Sequence, residues 1–441
     1  MKFTGKEMMG SQISGKPADA YRVLHTADWH LGRTLGEHSR EDEHRRFLDF
    51  LLAAVRAHSI DAVLIAGDVF DSPNPPQSAV AQYYDFLSAL FRQGGSSVVI
   101  VAGNHDSPAH LEAPRQILKA LGAHVIGSLP QPVSEALVPL PDAKSPQLLV
   151  AAVPFLRDRD LRLGLSGQSA TDIQRELVGG IKRRYEEVAA AAKLWIDRHV
   201  PVLATGHLTV VGSRLSDSER EIHVGGLGAI GADCFPDSFD YVALGHLHRP
   251  QAASGRDTVR YSGSPIPLSF SEAADRKEAR VVDFAGGDLA CHASLEIPLA
   301  RPLAQIVTTR QSLEFDLDAF RAPQGELPAW VEVVIKDPLG GENLYDRAQE
   351  LAGDKGYEVI RVIGTRFEPL SGMTIADPTG AGGIADLLAE PTRVFEHRLE
   401  AEPALTDEER EGLRTIFQEL LNIHAELQRQ AETNPTGMRG S

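Results

Sequence analysis

The stretch VVIVAGNHDS, residues 98–107, begins as core and ends as chemistry. Val98, Val99, Ile100 and Val101 form an unbroken β-branched run. Such a run fits a strand covered on both faces, as in a parallel sheet packed between layers. Gly103, Asn104, His105 and Asp106 follow without a gap. One cluster of this kind is no more than a polar turn. Its significance depends on whether other apolar strands end in the same way.

Working outward, they do. Arg22–His25 leads into Asp28-Trp29-His30, and Ala62–Ala66 into Gly67-Asp68-Val69-Phe70-Asp71. Val200–Ala204 leads into Gly206-His207, and Tyr241–Leu244 into Gly245-His246-Leu247-His248. Further strands are expected at His124–Ile126 and Leu148–Val153. Helices fit between the strands: Glu41–His58, Gln77–Phe91, Pro108–Leu121 and the long Asp172–Arg198. The first carries Phe47, Leu48, Leu51, Leu52 and Val55 on one face. This alternation predicts an α/β layered fold with a largely parallel centre and helices flanking the sheets. Residues just past the strand ends of such a sheet share one crevice, where ligands bind. A glycine in four of the five clusters lets the backbone turn sharply and come close to a ligand.

The donors delivered to that crevice are carboxylates, imidazoles and an amide carbonyl, with no thiolate. Such a set suits Mn²⁺, Fe²⁺ or Zn²⁺. Asp28, His30, Asp68, Asn104, His207, His246 and His248 are too many for one ion but suit two. Asp68 is the natural bridge, since it lies between the others in chain order and has two oxygens. A pair of ions roughly 3.5–4 Å apart is the two-metal route to phosphoester hydrolysis.

Bulk properties narrow the setting. The 441 residues allow two or three domains, and 42% hydrophobic with 24% charged residues is ordinary for a globular chain. A formal charge of −17 argues against a broadly basic nucleic-acid binder, though not against a local basic groove or a basic partner. Cys234 and Cys291 stand far apart and form no metal-knuckle or disulfide pattern, which fits a reducing cytoplasm. No run is apolar enough to suggest a membrane span. Residues 1–20 and 433–441 read as disordered or vector-derived tails. After about residue 270 the pattern shifts to strands at Arg280–Phe284, Ala304–Thr309, Trp330–Ile335 and Glu358–Ile363, with a helix at Asn343–Leu351. This predicts a smaller α+β domain over 275–370, after a first domain over 21–274. A Gly-rich linker and helix (371–403) and a final helix (404–432) complete the chain.

The ordered set D-x-H, G-D-x-x-D, G-N-H-D, G-H and G-H-x-H resembles the calcineurin-like metallophosphoesterase superfamily. The segments LHTADWHLG, AGDVFDSPNPP, VAGNHDSP, VPFLRDRDL, YVALGHLHRPQ and YSGSPIPLSFSEA further resemble the SbcD-type nuclease subunits of bacterial DNA-end processing complexes. The resemblance implies that Asp28, His30, Asp68 and His248 bind one ion, and Asp68, Asn104, His207 and His246 the other, with Mn²⁺ the expected metal. It makes His105 the group that protonates or stabilises the leaving oxygen, which suits an imidazole. Asp71 and Asp106 stand behind these residues. Asp106 is read as a cap for the next helix, with orientation of His105 the alternative, and the role of Asp71 is left open.

The resemblance also implies duplex exonuclease and single-strand or hairpin endonuclease action in DNA repair, recombination and replication. It implies an SMC-like ATPase partner of the SbcC type, and a homodimer within a heterotetramer, placed in the cytoplasm at the nucleoid. Glu41–His58 and Gln77–Phe91 are the candidate dimer helices, and 275–370 is the expected capping domain. Leu413, Ile416, Phe417, Leu420, Leu421, His424 and Leu427 share one face of the last helix, expected to dock on the ATPase. Two other readings stand beside this one: a phosphoesterase acting on a small diester or a phosphoprotein, and a non-catalytic scaffold. The GxGxxG match at Gly226–Gly231 is read as a loop, because Cys234-Phe235-Pro236 leaves little room for the helix that a dinucleotide site needs. Arg33, Arg157, Arg159 and Arg162 could each reach a phosphate, but the stretch 157–162, with Asp158 and Asp160 interleaved, is read as a solvated charged face.

Overall fold

A computed structural model describes residues 13–161, 170–210, 213–214, 230–336, 344–353 and 355–364, with 395, 399, 410–414 and 417 besides. Tyr21–Thr26, Ala62–Ala66, Ser97–Val101 and Ala123–Ile126 form a parallel array, each beside the next. Glu278–Ala285 joins antiparallel to Tyr21–Thr26, and Asp288–Glu296 completes this six-stranded sheet. In the second six-stranded sheet, Val202–His207 lies between Leu148–Ala151 and Tyr241–Gly245, parallel to both.

The sheets pack face to face through Val23, Leu64, Val101, Leu203, Ala243 and Val282. Helices Glu41–Ala57 and Gln77–Gln93 cover the outer side of the first sheet, burying Phe47, Leu51, Phe86 and Leu90. Helix Ala170–Ile196 covers the second with Leu177, Ile181, Tyr185 and Val188. The result is a helix–sheet–sheet–helix sandwich. It explains why Ala62–Ala66 is buried at every position, as its apolar run predicts. The expected helix Pro108–Leu121 is instead two, Pro108–Glu112 and Arg115–Ala120. Pro114 stands at the break, where a missing N–H and a bulky ring end the first helix.

The boundary expected at 275 lies elsewhere. Glu278–Ala285 and Asp288–Glu296 belong to the first sheet, not to the smaller domain. Asp283 receives the buried Arg22 guanidinium at 2.6 and 2.7 Å, tying the late strand to the earliest one. The smaller domain begins near Leu303. Its three strands, Leu303–Thr308, Ala329–Ile335 and Tyr357–Gly364, run parallel. Helices Leu313–Ala319 and Leu344–Ala352 lie in the crossovers. Trp330 meets the larger domain with the Arg301 and Arg40 guanidinium carbons 4.2 and 5.5 Å from its ring centre. Phe270 and Leu35 pack beside it.

A second unit, 368–441, is described at few positions. There Phe395 stacks on Phe417 at 4.0 Å, and Leu413 is exposed. Ile416, Leu420, Leu421, His424 and Leu427 lie outside the described residues, as do the Gly-rich linker, residues 1–12 and the final tail.

Candidate metal centre

The five polar clusters converge at the ends of the parallel strands. The first two loops extend the strand pairing: Asp28, His30 and Leu31 donate backbone N–H groups to the carbonyls of Gly67, Asp68 and Val69, each at 3.0 Å. The chain then turns sharply enough to bring four non-glycine residues into left-handed conformation. They are Asp28 (φ 54°), His30 (φ 47°), Asp68 (φ 48°) and His246 (φ 94°). Such backbone costs on the order of 1 kcal/mol or more per residue and collects at functional sites.

Close approach is the second device. A methyl group on Gly103 would sit 2.1 Å from Asp68 Oδ1, and one on Gly245 would sit 2.0 Å from the Ala66 carbonyl. These glycines leave room for the ligands of neighbouring loops.

Asp68 is at the centre. Its Oδ2 lies 3.2 Å from His207 Nε2 and 3.6 Å from His30 Nε2. Its Oδ1 accepts the His105 backbone N–H at 2.9 Å. Asn104 Oδ1 is 2.9 Å from His207 Nε2. Asp28 Oδ1 accepts from His246 N at 2.8 Å. His248 completes the ring, its imidazole centre 5.1 Å from that of His30.

Donor atoms of Asp68, His207 and His246 lie within 4.8 Å of one another, as do those of His30, Asp68 and His105. Asp68 is therefore shared by two groups of donors. His105 falls within the second group, although the resemblance gives it a proton-transfer role.

Four of the histidines, His30, His105, His207 and His248, share a pattern that fixes their tautomers. His30 Nδ1 faces Asp71 Oδ1 at 3.1 Å, and His105 Nδ1 faces the Asp71 carbonyl at 2.7 Å. His207 Nδ1 faces the Ala66 carbonyl at 3.1 Å, and His248 Nδ1 faces Glu272 Oε1 at 3.1 Å. An oxygen acceptor at Nδ1 holds the proton there and leaves Nε2 as the working nitrogen. Asp71 serves two rings at once, by side chain and by backbone, and Arg33 braces it at 3.1 Å.

Electrostatics follow from burial and from these neighbours. Burial alone would raise the Asp68 carboxyl, but His207, His30 and His105 outweigh it and hold it well below the usual carboxylate range. Burial opposes a charge on His207, yet Asp68 raises its pKa to about 9. Burial dominates at His30 and His246 and pushes both toward the neutral form that a cation requires. Asp71 is opposed by burial but lowered to about 2 by His30 and Arg33.

Asp106 departs from its expected role. Its carboxylate accepts from Gly103 N (2.8 Å), Phe70 N (3.0 Å) and Val69 N (3.2 Å), stitching two site loops together. Ser107 is the residue whose side chain caps the following helix. Burial and the Asp68 charge raise Asp106 to about 6.

The residues fit a pair of divalent cations. Among the described residues His30 Nε2 is buried with no hydrogen-bond partner, and it points toward Asp68. A buried orphan nitrogen next to a shared carboxylate is costly unless a cation takes its lone pair. Sequence reasoning missed Glu272 and Lys277, which lie in or just after the quoted segment YSGSPIPLSFSEA. Of the GxGxxG match only Ile230 and Gly231 lie within the described residues, and a three-residue turn, Ala232–Cys234, follows them.

Fold and site together define a metallophosphoesterase. The family model for calcineurin-like phosphoesterase matches residues 21–250, and the chain belongs to that family. Within it, the chain groups with the SbcD components of SbcCD nucleases. It is 38% identical over 342 residues to the SbcD component of the SbcCD nuclease of Escherichia coli K12, covering 77% of this chain and 84% of the relative. The protein of the same name from Rhodobacter capsulatus is 41% identical over 294 residues, covering 65% of this chain and 71% of the relative. That from Bacillus subtilis is 37% identical over 287 residues, covering 64% and 71%.

Proposed function

We propose that this chain is the metal-dependent nuclease subunit of an SbcCD-like complex, hydrolysing phosphodiester bonds at DNA ends and hairpins. The observation that carries the reading is the sharing of Asp68 between two groups of buried donors. Asp28, His30, Asp68 and His248 would hold one ion; Asp68, Asn104, His207 and His246 would hold the other. Mn²⁺ suits this oxygen and imidazole set. When bound, the two ions supply positive charge for the phosphate oxygens and make water acidic enough to attack near neutral pH.

The chain's own residues do the rest. His105 keeps one proton on Nδ1 against the Asp71 carbonyl; as the imidazolium it gives a second proton, on Nε2, to the departing oxygen and is left neutral. Asp71 holds His30 and His105 in one fixed relation, so the ligand and the acid move together. The packed sandwich buries Asp28, His30, Asp68, His105, His207, His246 and His248 and so limits their contact with bulk water.

Phosphate contacts dominate DNA affinity, and a chain of net charge −17 needs a local groove or a partner to provide them. The small domain beginning near Leu303 forms one wall of such a groove. An SbcC-type ATPase, docked on the apolar side chains between Leu413 and Leu427, supplies further positive surface. The active assembly contains a homodimer of this chain within a heterotetramer, working at the nucleoid.

The test is a cleavage panel. Blunt duplex, hairpin and single-stranded DNA are compared with a small chromogenic diester, with Mn²⁺, Mg²⁺ or Zn²⁺, and with and without the ATPase. DNA cleavage that needs metal and is shaped by the ATPase is expected. Turnover of the small diester with no DNA cleavage would refute the reading.

A further inference from the structure

Glu272 and Lys277 form a buried ion pair, Nζ to Oε2 2.6 Å, with both side chains fully inaccessible. A pair like this is a poor way to gain stability, since apolar residues of the same volume usually serve as well or better. Its geometry suggests another use. The two carboxylate oxygens of Glu272 have separate tasks. Oε2 accepts from Lys277 Nζ, from Leu268 N at 3.1 Å and from Ser264 Oγ at 3.3 Å. Oε1 faces His248 Nδ1 at 3.1 Å. One oxygen is anchored by three donors, and the other is presented to the imidazole. Lys277 Nζ also donates to the His248 carbonyl at 3.2 Å and to Ser264 Oγ at 2.9 Å. The same pair therefore grips the backbone and the ring of His248.

We propose that Glu272 is a positioning residue for the metal centre: it fixes His248 with its proton on Nδ1 and its lone pair on Nε2, and Lys277 holds Glu272 in register. An ionised carboxylate can only accept, so the facing Nδ1 must donate, and only Nε2 is left to bind a cation. The inference rests on the metal-centre reading above. It extends that reading to a turn, Phe270–Glu272, that contributes no ligand of its own.

The test uses the full chain carrying Glu272→Leu together with Lys277→Met. The double change removes both buried charges, so neither is left unpaired. Thermal unfolding reports the fold, and Mn²⁺ titration by calorimetry, with free Mn²⁺ counted by EPR, reports the two sites separately. The expected variant melts near the wild-type temperature but binds one of two Mn²⁺ ions about 10–100-fold more weakly. The weakened site is the one that His248→Ala also weakens. A folded variant with both affinities unchanged, or with both reduced equally, would overturn the proposal. If the double variant does not fold, Glu272→Asp carries the test. It keeps the charge for Lys277 but draws the carboxylate back from Nδ1, so the same single-site loss is expected and unchanged affinity refutes the role. Wild-type protein that takes up fewer than two ions would instead sink the metal-centre reading itself.

Discussion

Gly103→Ala isolates the close approach on which the centre depends. The added methyl carbon would stand 2.1 Å from Asp68 Oδ1, 2.3 Å from Asp68 N and 2.7 Å from Asp68 Cγ. Ordinary contacts need about 3 Å or more, so something must move by roughly 1 Å. The backbone nitrogen cannot yield easily. Asp68 is already in left-handed conformation, and its carbonyl is held by His30 N. Overpacking of this kind costs about 1–3 kcal/mol, which for a domain of this size lowers Tm by roughly 3–10 °C. A 1 Å displacement of a reacting group costs about 100-fold in rate, so cleavage should fall by about that factor, and Mn²⁺ binding should weaken at both proposed sites, since both groups of donors include Asp68. Differential scanning fluorimetry, Mn²⁺ titration and duplex cleavage measure the three effects. Gly15→Ala is the control, since among the described residues no heavy atom lies within 4 Å of a methyl group there. A Gly103→Ala protein that melted within about 1 °C of wild type and cut DNA normally would refute the close-packing argument.

Other expectations concern single side chains. His105→Leu should abolish cleavage while leaving Mn²⁺ and DNA binding within about threefold of wild type, measured by titration and by filter binding; surviving cleavage would remove His105 from the chemistry. Both ring nitrogens of His207 face oxygens, and its pKa is raised to about 9 in the metal-free protein, despite burial, chiefly by Asp68. The stability gained from that proton is full below the ordinary histidine value near 6.5 and fades as pH rises through 9. A cation at Nε2 must displace the same proton. Affinity for that ion should therefore rise about tenfold per pH unit from pH 7 to 9 and then level off, and a flat calorimetric profile would contradict it. Asp106→Asn should destabilise the fold by about 1–3 kcal/mol at pH 8, read from urea denaturation, because an amide –NH₂ would face at least one of the N–H donors of Gly103, Val69 and Phe70.

The strand ends were legible because each apolar run stops abruptly at polar residues, a change visible within ten residues. The core faces of the helices were legible for the same reason: Phe47, Leu48 and Leu51 repeat at helical spacing and are buried. What escaped depends on partners distant in the chain. Glu272 is one acidic residue among several until the fold sets it 3.1 Å from a histidine 24 positions earlier. Asp106 and Ser107 are both good capping residues before a proline, and only the packing of the Val69–Phe70 loop decides which one caps. The strand Glu278–Ala285 looked like the start of a new domain because nothing local signals a return to the edge of the first sheet. The left-handed backbone at Asp28, His30, Asp68 and His246 falls on Asp and His, types enriched in that conformation, but glycine is the commoner choice there, so residue type alone did not single these positions out.

That returning strand bears on how the protein is made. Arg22 and its partner Asp283 are 261 residues apart. At about 5–20 residues per second, a ribosome takes on the order of 10–50 s to travel between them. During that interval the Tyr21–Thr26 edge emerges with an unfilled hydrogen-bonding side and an uncompensated guanidinium, the condition in which nascent chains pair wrongly or recruit chaperones. The exposure of that early edge thus lasts until Glu278–Ala285 is synthesised and returns to it.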